Sequence, residues 1–326
     1  MRSPKPLPPS FSAPFLAADA LQAGLTAGRL HASDLRIPSR GIRAPREADG
    51  DDGDGAADLA ARARPYLQLL PDAVLSHTSA ALLHGIPLPP SYCTEPVLHL
   101  ARAPEMPACR RKHVRCHRLA LSPGDVVHPL PGIRLTSPAR TWFDLAGVLP
   151  LPALVAAGDW LVSGRGRSFG YPREAVVALE ELRAFVDQLL GLPGIRTARV
   201  AVDLLRTGVD SPQESYLRLM LQKAGLPEFR PSCPLLDEAG RPVVWADLGC
   251  PQFRTCVEYD GAHHLTREQQ LRDHNRDLLV RELGWHQVKI SSSDMARGSR
   301  WVAAKVARGL KLGGWTPAGS AGFIEG

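Results

Sequence analysis

The hydrophobic and polar positions at the start of the chain predict two short helices joined by a turn. Apolar residues over 15–23 favour the first helix, residues 24–26 predict the turn, and residues 27–35 favour the second helix. Such a pair is typical of a helix-turn-helix, and a small helical hairpin with a solvated basic face is the alternative. Residues 1–14 contain closely spaced prolines and predict a disordered tail.

The pattern further along predicts short strands and then mostly helix. Residues 76–85 predict a capped helix that ends at Gly85, and residues 97–101 and 113–121 predict strands. Helical patterns dominate from Ser137 to residue 206. The predicted organisation is a first folded region over 15–160, a helical connector over 161–206, a second domain over 207–310 and a tail over 311–326.

Basic residues concentrate in two parts of the first region. One group lies on and beyond the second predicted helix, and Arg102–Arg118 contains six lysines or arginines against the single Glu105. Such clusters favour contact with phosphates. The candidate nucleic-acid contacts here are Arg29, Arg40, Arg43, Arg110, Arg111 and Lys112. The same segment contains Cys109, His113, Cys116 and His117. Without a second ligand pair at finger spacing, this pattern favours strand packing over a zinc finger.

Two strand-like segments in the second domain predict a β-hairpin that carries acidic residues. A capping box at residues 211–214 begins the helix before it, and the strands span 243–250 and 254–260. If the turn is centred between residues 252 and 253, Asp247 lies opposite Glu258. Because strands repeat every two residues, Asp260 then shares the face of Glu258.

Opposed carboxylates on a sheet repel each other, and a divalent cation would remove that cost. Oxygen ligands suit Mg²⁺ or Mn²⁺, which can activate water and stabilise the charge on a phosphate. Asp247 and Glu258 are the predicted metal ligands, and a solvated polar face on a half-exposed hairpin is the alternative. His263 and His264 follow the second strand, where a histidine can act as acid, base or phosphate contact. Arg276 is a further phosphate candidate, with surface ion pairing as the alternative.

The composition bears on the partners and the cellular compartment of this protein. The 326 residues contain 39 lysines and arginines against 33 aspartates and glutamates, which permits a polyanionic partner. The six cysteines form no CxxC pair, and neither an export signal nor a long apolar run appears, so we predict a cytoplasmic protein without a membrane segment.

The order SPQES, ADL, VEYDGAHH and RDHNRDLLVRELGWHQVKI over 211–294 resembles a group of uncharacterised actinobacterial proteins. Their C-terminal domain is similar to the very-short-patch-repair endonuclease, within the PD-(D/E)xK nuclease superfamily. The resemblance implies a mixed sheet flanked by helices, Asp247 as the metal-binding aspartate and Glu258 as the second acidic residue. Glu214 would match the acidic residue of the first helix, although the capping box also explains it. Asp260 stands where many relatives have lysine, and Ala246 stands where the superfamily name expects proline.

The first region more loosely resembles the winged-helix antitoxin of an abortive-infection toxin–antitoxin system. The similar segments are AADALQAGLTAGRL, SHTSAALLHGIPLP and LTSPARTWFDLA, and this resemblance implies DNA binding. The sequence therefore predicts an α/β protein with a winged-helix-like α+β region and a restriction-endonuclease-like domain. Its predicted function is Mg²⁺- or Mn²⁺-dependent hydrolysis of phosphodiesters, with duplex DNA as partner and RNA left open. The alternative is a non-enzymatic DNA-binding regulator with a degenerate nuclease fold.

Overall fold

The computed structural model describes residues 4–46, 55–93, 97–107, 109–164, 174–261 and 267–317, with the backbone alone over 267–273. These residues form an α/β fold with mixed and antiparallel sheets. The chain divides into two compact units: Met1–Pro150 with Glu181–Val200, and Leu151–Glu180 with Ala201–Gly326. Within the described ranges, no helix is both long and apolar enough to cross a membrane.

The first unit contains two sheets and five complete helices among its described residues. Its elements are β1 (Phe15–Leu16), α1 (Ala17–Gln22), β2 (Leu35–Arg36), β3 (Ile42–Pro45), α2 (Gly55–Leu69), β4 (Val74–Leu75), α3 (His77–His84), α4 (Pro90–Cys93), β5 (Leu98–Arg102), β6 (Val114–Arg118), β7 (Val126–Leu130), β8 (Ile133–Thr136) and α5 (Pro138–Leu145). The sheet orders are β1-β3-β2 and β6-β5-β4-β8-β7. Strand β5 runs parallel to β6 and antiparallel to β4.

Apolar residues from helix α2 and the five-stranded sheet form the main core of the first unit. Leu59, Tyr66, Leu75, Leu100 and Leu135 are among its buried members. Helix α3 packs on the same sheet, and it ends as predicted at Gly85, which adopts the left-handed conformation with φ 71°.

The predicted second helix over 27–35 is wrong. Residues 29–31 form one turn of 3-10 helix, and strand β2 follows at Leu35. Arg29 explains part of this difference, because its guanidinium pairs with the Asp34 carboxylate at 2.6 Å and also donates to the Lys5 carbonyl. These contacts are specific to the folded chain, and a nine-residue helix has little stability of its own to compete with them.

The predicted disordered tail over 1–14 is also wrong from residue 9 onward. Pro9–Phe11 form a 3-10 turn, and the buried ring of Phe11 packs against Phe15 with 4.8 Å between centroids. Prolines prevent an α-helix here but do not prevent burial of a neighbouring aromatic side chain.

The second unit is a mixed four-stranded sheet flanked by helices. Its elements are α6 (Leu151–Val162), α9 (Pro212–Lys223), β9 (Arg230–Leu236), β10 (Pro242–Cys250), β11 (Thr255–Asp260), α10 (Arg267–Glu282), β12 (His286–Ser291), α11 (Ser292–Ala296) and α12 (Ser299–Leu312). Helices α7 (Leu179–Gln188) and α8 (Ile195–Leu204) cross the division between the units. The strand order is β12-β11-β10-β9, with β11 and β12 parallel and the other pairs antiparallel.

Two apolar clusters hold this sheet between its helices. Leu217 of α9 and Val306 of α12 pack with Leu248 and Val257 in one cluster. In the other cluster, Val280 of α10 packs with residues of β9, β10 and β11. The mixed sheet flanked by helices therefore agrees with the predicted α/β class.

The domain boundaries at 160/161 and 206/207 differ from those of the structure. Helix α6 belongs to the second unit and packs against α9. The carboxylate of Asp159 in α6 accepts hydrogen bonds from Ser215 at 2.6 Å and Arg218 at 2.7 Å. At the other end, α12 extends to Leu312 and Trp315 packs on the core, so the predicted tail from 311 begins too early.

Candidate active site

The β10–β11 hairpin has the predicted register. Leu248 pairs with Val257 and Gly249 pairs with Cys256, and one further step along the same register places Asp247 opposite Glu258. A 3-10 turn over Pro251–Phe253 joins the strands. The two acidic residues are therefore brought together by local strand pairing.

The carboxyl groups of Asp247 and Glu258 are in contact inside the second unit. Asp247 Oδ2 accepts a hydrogen bond of 2.8 Å from the Tyr259 backbone N–H, and the Glu258 carboxyl donates to Asp247. Burial is the main cause that raises both pKa values, and the nearby Asp247 charge helps to raise the pKa of Glu258 to about 9. Since Glu258 is only 7 % exposed, its protonated form is favoured when no cation is bound.

Glu214 provides the third carboxyl group of this site. Its Oε1 accepts a hydrogen bond from Ser211 Oγ at 2.8 Å, and its Oε2 accepts one from the Asp210 N–H at 3.1 Å. Ser211 caps the helix as predicted, because its Oγ accepts from the Glu214 N–H at 3.3 Å, whereas the Glu214 carboxylate accepts from the N–H of Asp210. Burial, followed by the charge of Asp247, also raises the pKa of Glu214 to about 8. We refer to Glu214, Asp247 and Glu258 as the carboxylate cluster.

Asp260 lies outside the buried part of this site. It is exposed at the end of β11 and pairs in register with Ser291. The acidic neighbours that shift the pKa of Glu258 are Asp247 and Glu214, so the predicted third carboxylate of the cluster is corrected from Asp260 to Glu214. His263 and His264, which are candidate catalytic residues, lie outside the described residues.

Two basic residues lie close to Glu258, one on helix α10 and one on strand β12. Arg276 Nη2 pairs with Glu258 Oε1 at 2.9 Å and also donates to the Trp245 carbonyl. Lys289 lies on β12 in register with Glu258, and its Nζ pairs with Asp277. Sequence reasoning missed Lys289, because the parallel pairing of β11 with β12 joins strands separated by helix α10.

The basic residues of the first unit divide into exposed and internally bonded groups. Arg40, Arg110 and Lys112 are exposed, and Arg111 donates to the Arg40 carbonyl at 2.8 Å, which joins the two basic segments. We call Arg40, Arg110, Arg111 and Lys112 the basic surface.

Arg43 and Arg29 do not belong to the basic surface. The buried Arg43 guanidinium donates to the carbonyls of Leu30 and Ile42, so its assignment as a phosphate contact is corrected. Arg29 is held in its ion pair with Asp34, so its guanidinium is likewise used within the fold.

The raised pKa values predict a stability that falls as pH rises in the absence of metal. Glu214 and Glu258 ionise near the ordinary value of 4.5 in the unfolded chain but at about 8 and about 9 in the folded protein. Between these values the unfolded chain binds fewer protons than the folded protein, so the free energy of unfolding decreases with pH and levels off above the folded values. Thermal melts in EDTA should therefore show a melting temperature that falls between about pH 5 and about pH 9.

Glu258→Gln provides the comparison for this pH dependence. Glutamine is neutral at every pH and can still donate a hydrogen bond to Asp247, so the fall in melting temperature should be smaller in this variant. Saturating Mg²⁺ should also reduce the fall in the wild-type protein, because bound cation favours the ionised carboxylates. An equally steep fall in Glu258→Gln would contradict the assignment of the titration to this residue.

Comparison with known proteins gives two relatives from Mycobacterium tuberculosis. The uncharacterized proteins MT2308, of strain CDC 1551, and Rv2248, of strain H37Rv, are each 29 % identical to this chain over 203 residues. The alignment covers 59 % of this chain and 70 % of each relative. No protein-family model matches the chain, and no solved structure matches it. The chain is thus similar to these mycobacterial proteins over more than half of its length.

Proposed function

We propose that this protein is a metal-dependent nuclease that hydrolyses phosphodiester bonds, with DNA as its substrate. The observation that carries the proposal is the contact between the carboxyl groups of the half-buried Asp247 and the buried Glu258 on paired strands. Their raised pKa values reflect an unfavourable placement of negative charge that a divalent cation would relieve.

The donor set of the carboxylate cluster suits Mg²⁺ or Mn²⁺. Carboxylate oxygens are preferred ligands of these ions, and Mg²⁺ commonly uses one or two carboxylates together with water and substrate phosphate. Asp247 and Glu258 would hold the ion, and Glu214 would add negative charge to the cluster. When bound, the ion would supply Lewis acidity toward the phosphate and lower the pKa of a bound water.

Arg276 and Lys289 offer positive charge in place of the lysine that many PD-(D/E)xK nucleases have where this chain has Asp260. Arg276 already contacts Glu258, and Lys289 lies one strand away in register with the same residue. Arg276 can interact with a phosphate when its partner Glu258 engages a metal ion, and Lys289, which pairs with Asp277, is a second cation on the neighbouring strand. The resemblance to PD-(D/E)xK nucleases is therefore compatible with catalysis despite the aspartate at position 260.

A non-enzymatic DNA-binding regulator is the second candidate function. The contact between Arg276 and Glu258 favours it, because a guanidinium at 2.9 Å gives the glutamate carboxyl a hydrogen-bonding partner without a metal ion. Asp260 in place of the lysine also favours it. In this case the second unit would be retained for its fold, and DNA binding would depend on the first unit.

A cleavage assay distinguishes the two functions. The full chain is incubated with single-stranded and duplex DNA and RNA in Mg²⁺, in Mn²⁺ and in EDTA. The nuclease function predicts fragments that require a divalent cation, and the nucleic acid that is cut identifies the substrate. DNA binding without cleavage under any of these conditions would support the regulator and contradict the nuclease.

The basic surface is expected to provide affinity for DNA that is independent of sequence. Replacing Arg110, Arg111 and Lys112 with alanine should weaken binding to all duplexes alike and reduce the dependence of affinity on salt, because fewer counterions are released. Fluorescence anisotropy at several salt concentrations measures both effects. Alanine at Arg62, a half-buried arginine of α2 that pairs with Asp58, is the matched control. Unchanged affinity and salt dependence in the triple variant would contradict this assignment.

A further inference from the structure

Three histidine side chains from three separate elements meet in the first unit. His77 begins helix α3, His99 lies in β5 and His117 lies in β6. One ring nitrogen from each histidine lies within 4.8 Å of those of the other two. Among the described residues, these are the three potential ligand side chains whose ligand atoms all lie this close together. The three carboxylates of the carboxylate cluster do not form such a group. We call these residues the histidine cluster.

Strand pairing explains why distant histidines converge here. Strands β5 and β6 are parallel, and His117 pairs in register with Ala101, which shares the face of His99. The Ser76 N–H donates to the His99 carbonyl at 3.0 Å, which fixes the start of α3 beside β5. All three rings are therefore positioned by backbone hydrogen bonds of the sheet and its adjoining helix.

One pair of nitrogen atoms, which is hydrogen-bonded in this structure, has a distance close to that of two ligands on one metal ion. His99 Nδ1 and His117 Nε2 are 3.0 Å apart. Two ligands at about 2.05 Å from a tetrahedral zinc ion lie about 3.3 Å from each other. The rings of His77 and His117 are stacked, with 3.6 Å between centroids and 17° between planes. Because imidazole lone pairs lie in the ring plane, binding of one ion by all three residues requires rotation of His77 or His117 out of this stack.

His77 is held in this position at a conformational cost. Its φ of 49° is in the left-handed region, where a residue other than glycine is strained. Its Nδ1 lies 3.0 Å from Ser76 Oγ, which leaves Nε2 available to a ligand and resembles the outer-shell bonds that orient metal-binding histidines. Strain that persists in a folded protein is often associated with a functional site.

Two arginines lie near the cluster. Burial is the main cause that lowers the pKa of His77, and Arg140 and Arg115 contribute to the same shift. The Arg140 guanidinium is paired with Asp144 at 2.9 Å and with Asp125 at 3.4 Å, so carboxylates oppose part of its repulsion toward a cation.

We infer that His77, His99 and His117 form a binding site for a late first-row transition-metal ion, with Zn²⁺ as the representative ion. Imidazole nitrogen suits zinc, copper and nickel, whereas Mg²⁺ prefers oxygen ligands, so this site differs in chemistry from the carboxylate cluster. Three histidines leave a fourth tetrahedral position for water or a substrate group. His117 is partly exposed on the edge strand of its sheet, which gives that position access to solvent.

Zinc titration of the full chain tests this inference. Competition against a chromophoric chelator, in excess Mg²⁺ to occupy oxygen sites, should give one tight Zn²⁺ site in the wild-type protein. Its affinity should fall at least about 100-fold in His99→Ala and in His117→Ala, because even the loss of an outer-shell partner costs 10- to 100-fold. The exposed His128 on β7 is the matched control, and His128→Ala should retain the site.

Two measurements on the wild-type protein keep the inference falsifiable if the histidine variants do not fold. Zn²⁺ should raise the melting temperature, because it binds the folded site. Bound Co²⁺ should give the visible bands of a four-coordinate site with nitrogen ligands and no thiolate charge-transfer band. Absence of a zinc-induced shift, a thiolate band from cysteine ligands, or folded histidine variants that bind Zn²⁺ as the wild type does would each overturn the inference.

Discussion

Replacing Asp247 with asparagine is expected to lower the rate of metal-dependent cleavage at least about 100-fold, since loss of a ligand should exceed the 10- to 100-fold cost of losing an outer-shell partner. Asparagine is a poor substitute for an anionic ligand to Mg²⁺. Nucleic-acid binding should persist, because the basic surface is unchanged. Cleavage and anisotropy assays on the same preparations measure the two properties separately.

The same variant should have unchanged or slightly higher stability in EDTA. Asparagine removes the negative charge of Asp247, which burial disfavours, and its Oδ1 can still accept the hydrogen bond from the Tyr259 N–H. In Mg²⁺, the wild-type protein should gain more in melting temperature than the variant. Glu238→Gln, which changes an exposed carboxylate in the β9–β10 turn, is the matched control. A variant that melts far lower in EDTA, or that cleaves as fast as the wild type, would contradict the metal-site assignment.

Local sequence patterns were sufficient for the parts of the acidic site that are close together in the chain. The turn at residues 251–253 fixes the hairpin register, so the contact of Asp247 with Glu258 follows from counting along two adjacent strands. The N-cap Ser211 likewise places Glu214 at the start of α9, since the hydrogen bonds of Glu214 involve the neighbouring residues 210 and 211.

Contacts between distant segments could not be read from the same patterns. A single histidine in a strand has no periodic signal, and His99 meets His117 only because β5 and β6 pair in parallel across a long connection. Asp260 shows another limit. The alternation of side chains along a strand correctly predicts that Asp260 is on the same face as Glu258, but Asp260 is the last residue of β11 and its side chain is exposed. Where a helix is expected over 27–35, Arg29 likewise donates to the carbonyl of Lys5, a residue far away in the sequence.

Replacing Asp159 with alanine is expected to destabilise the second unit by roughly 3–5 kcal/mol, because it leaves a buried arginine without its charge partner. Asp159 is 0 % exposed and accepts hydrogen bonds from Arg218, from Ser215 and from the Arg206 N–H. The Arg218 side chain is itself only 5 % exposed. Glu228→Ala is the control, because its exposed ion pair with Arg206 should contribute about 0–1 kcal/mol.

The same contact predicts where the second unit can be separated from the rest of the chain. A fragment over 151–326 retains α6 and should unfold cooperatively, whereas a fragment over 207–326 lacks both the apolar face of α6 and the partner of Arg218. Denaturant unfolding followed by circular dichroism compares the two fragments. A cooperative transition of equal midpoint in both would show that α6 is dispensable, and Asp159→Ala in the longer fragment should then have little effect. If α6 is part of the core, that substitution should shift the midpoint of the longer fragment strongly.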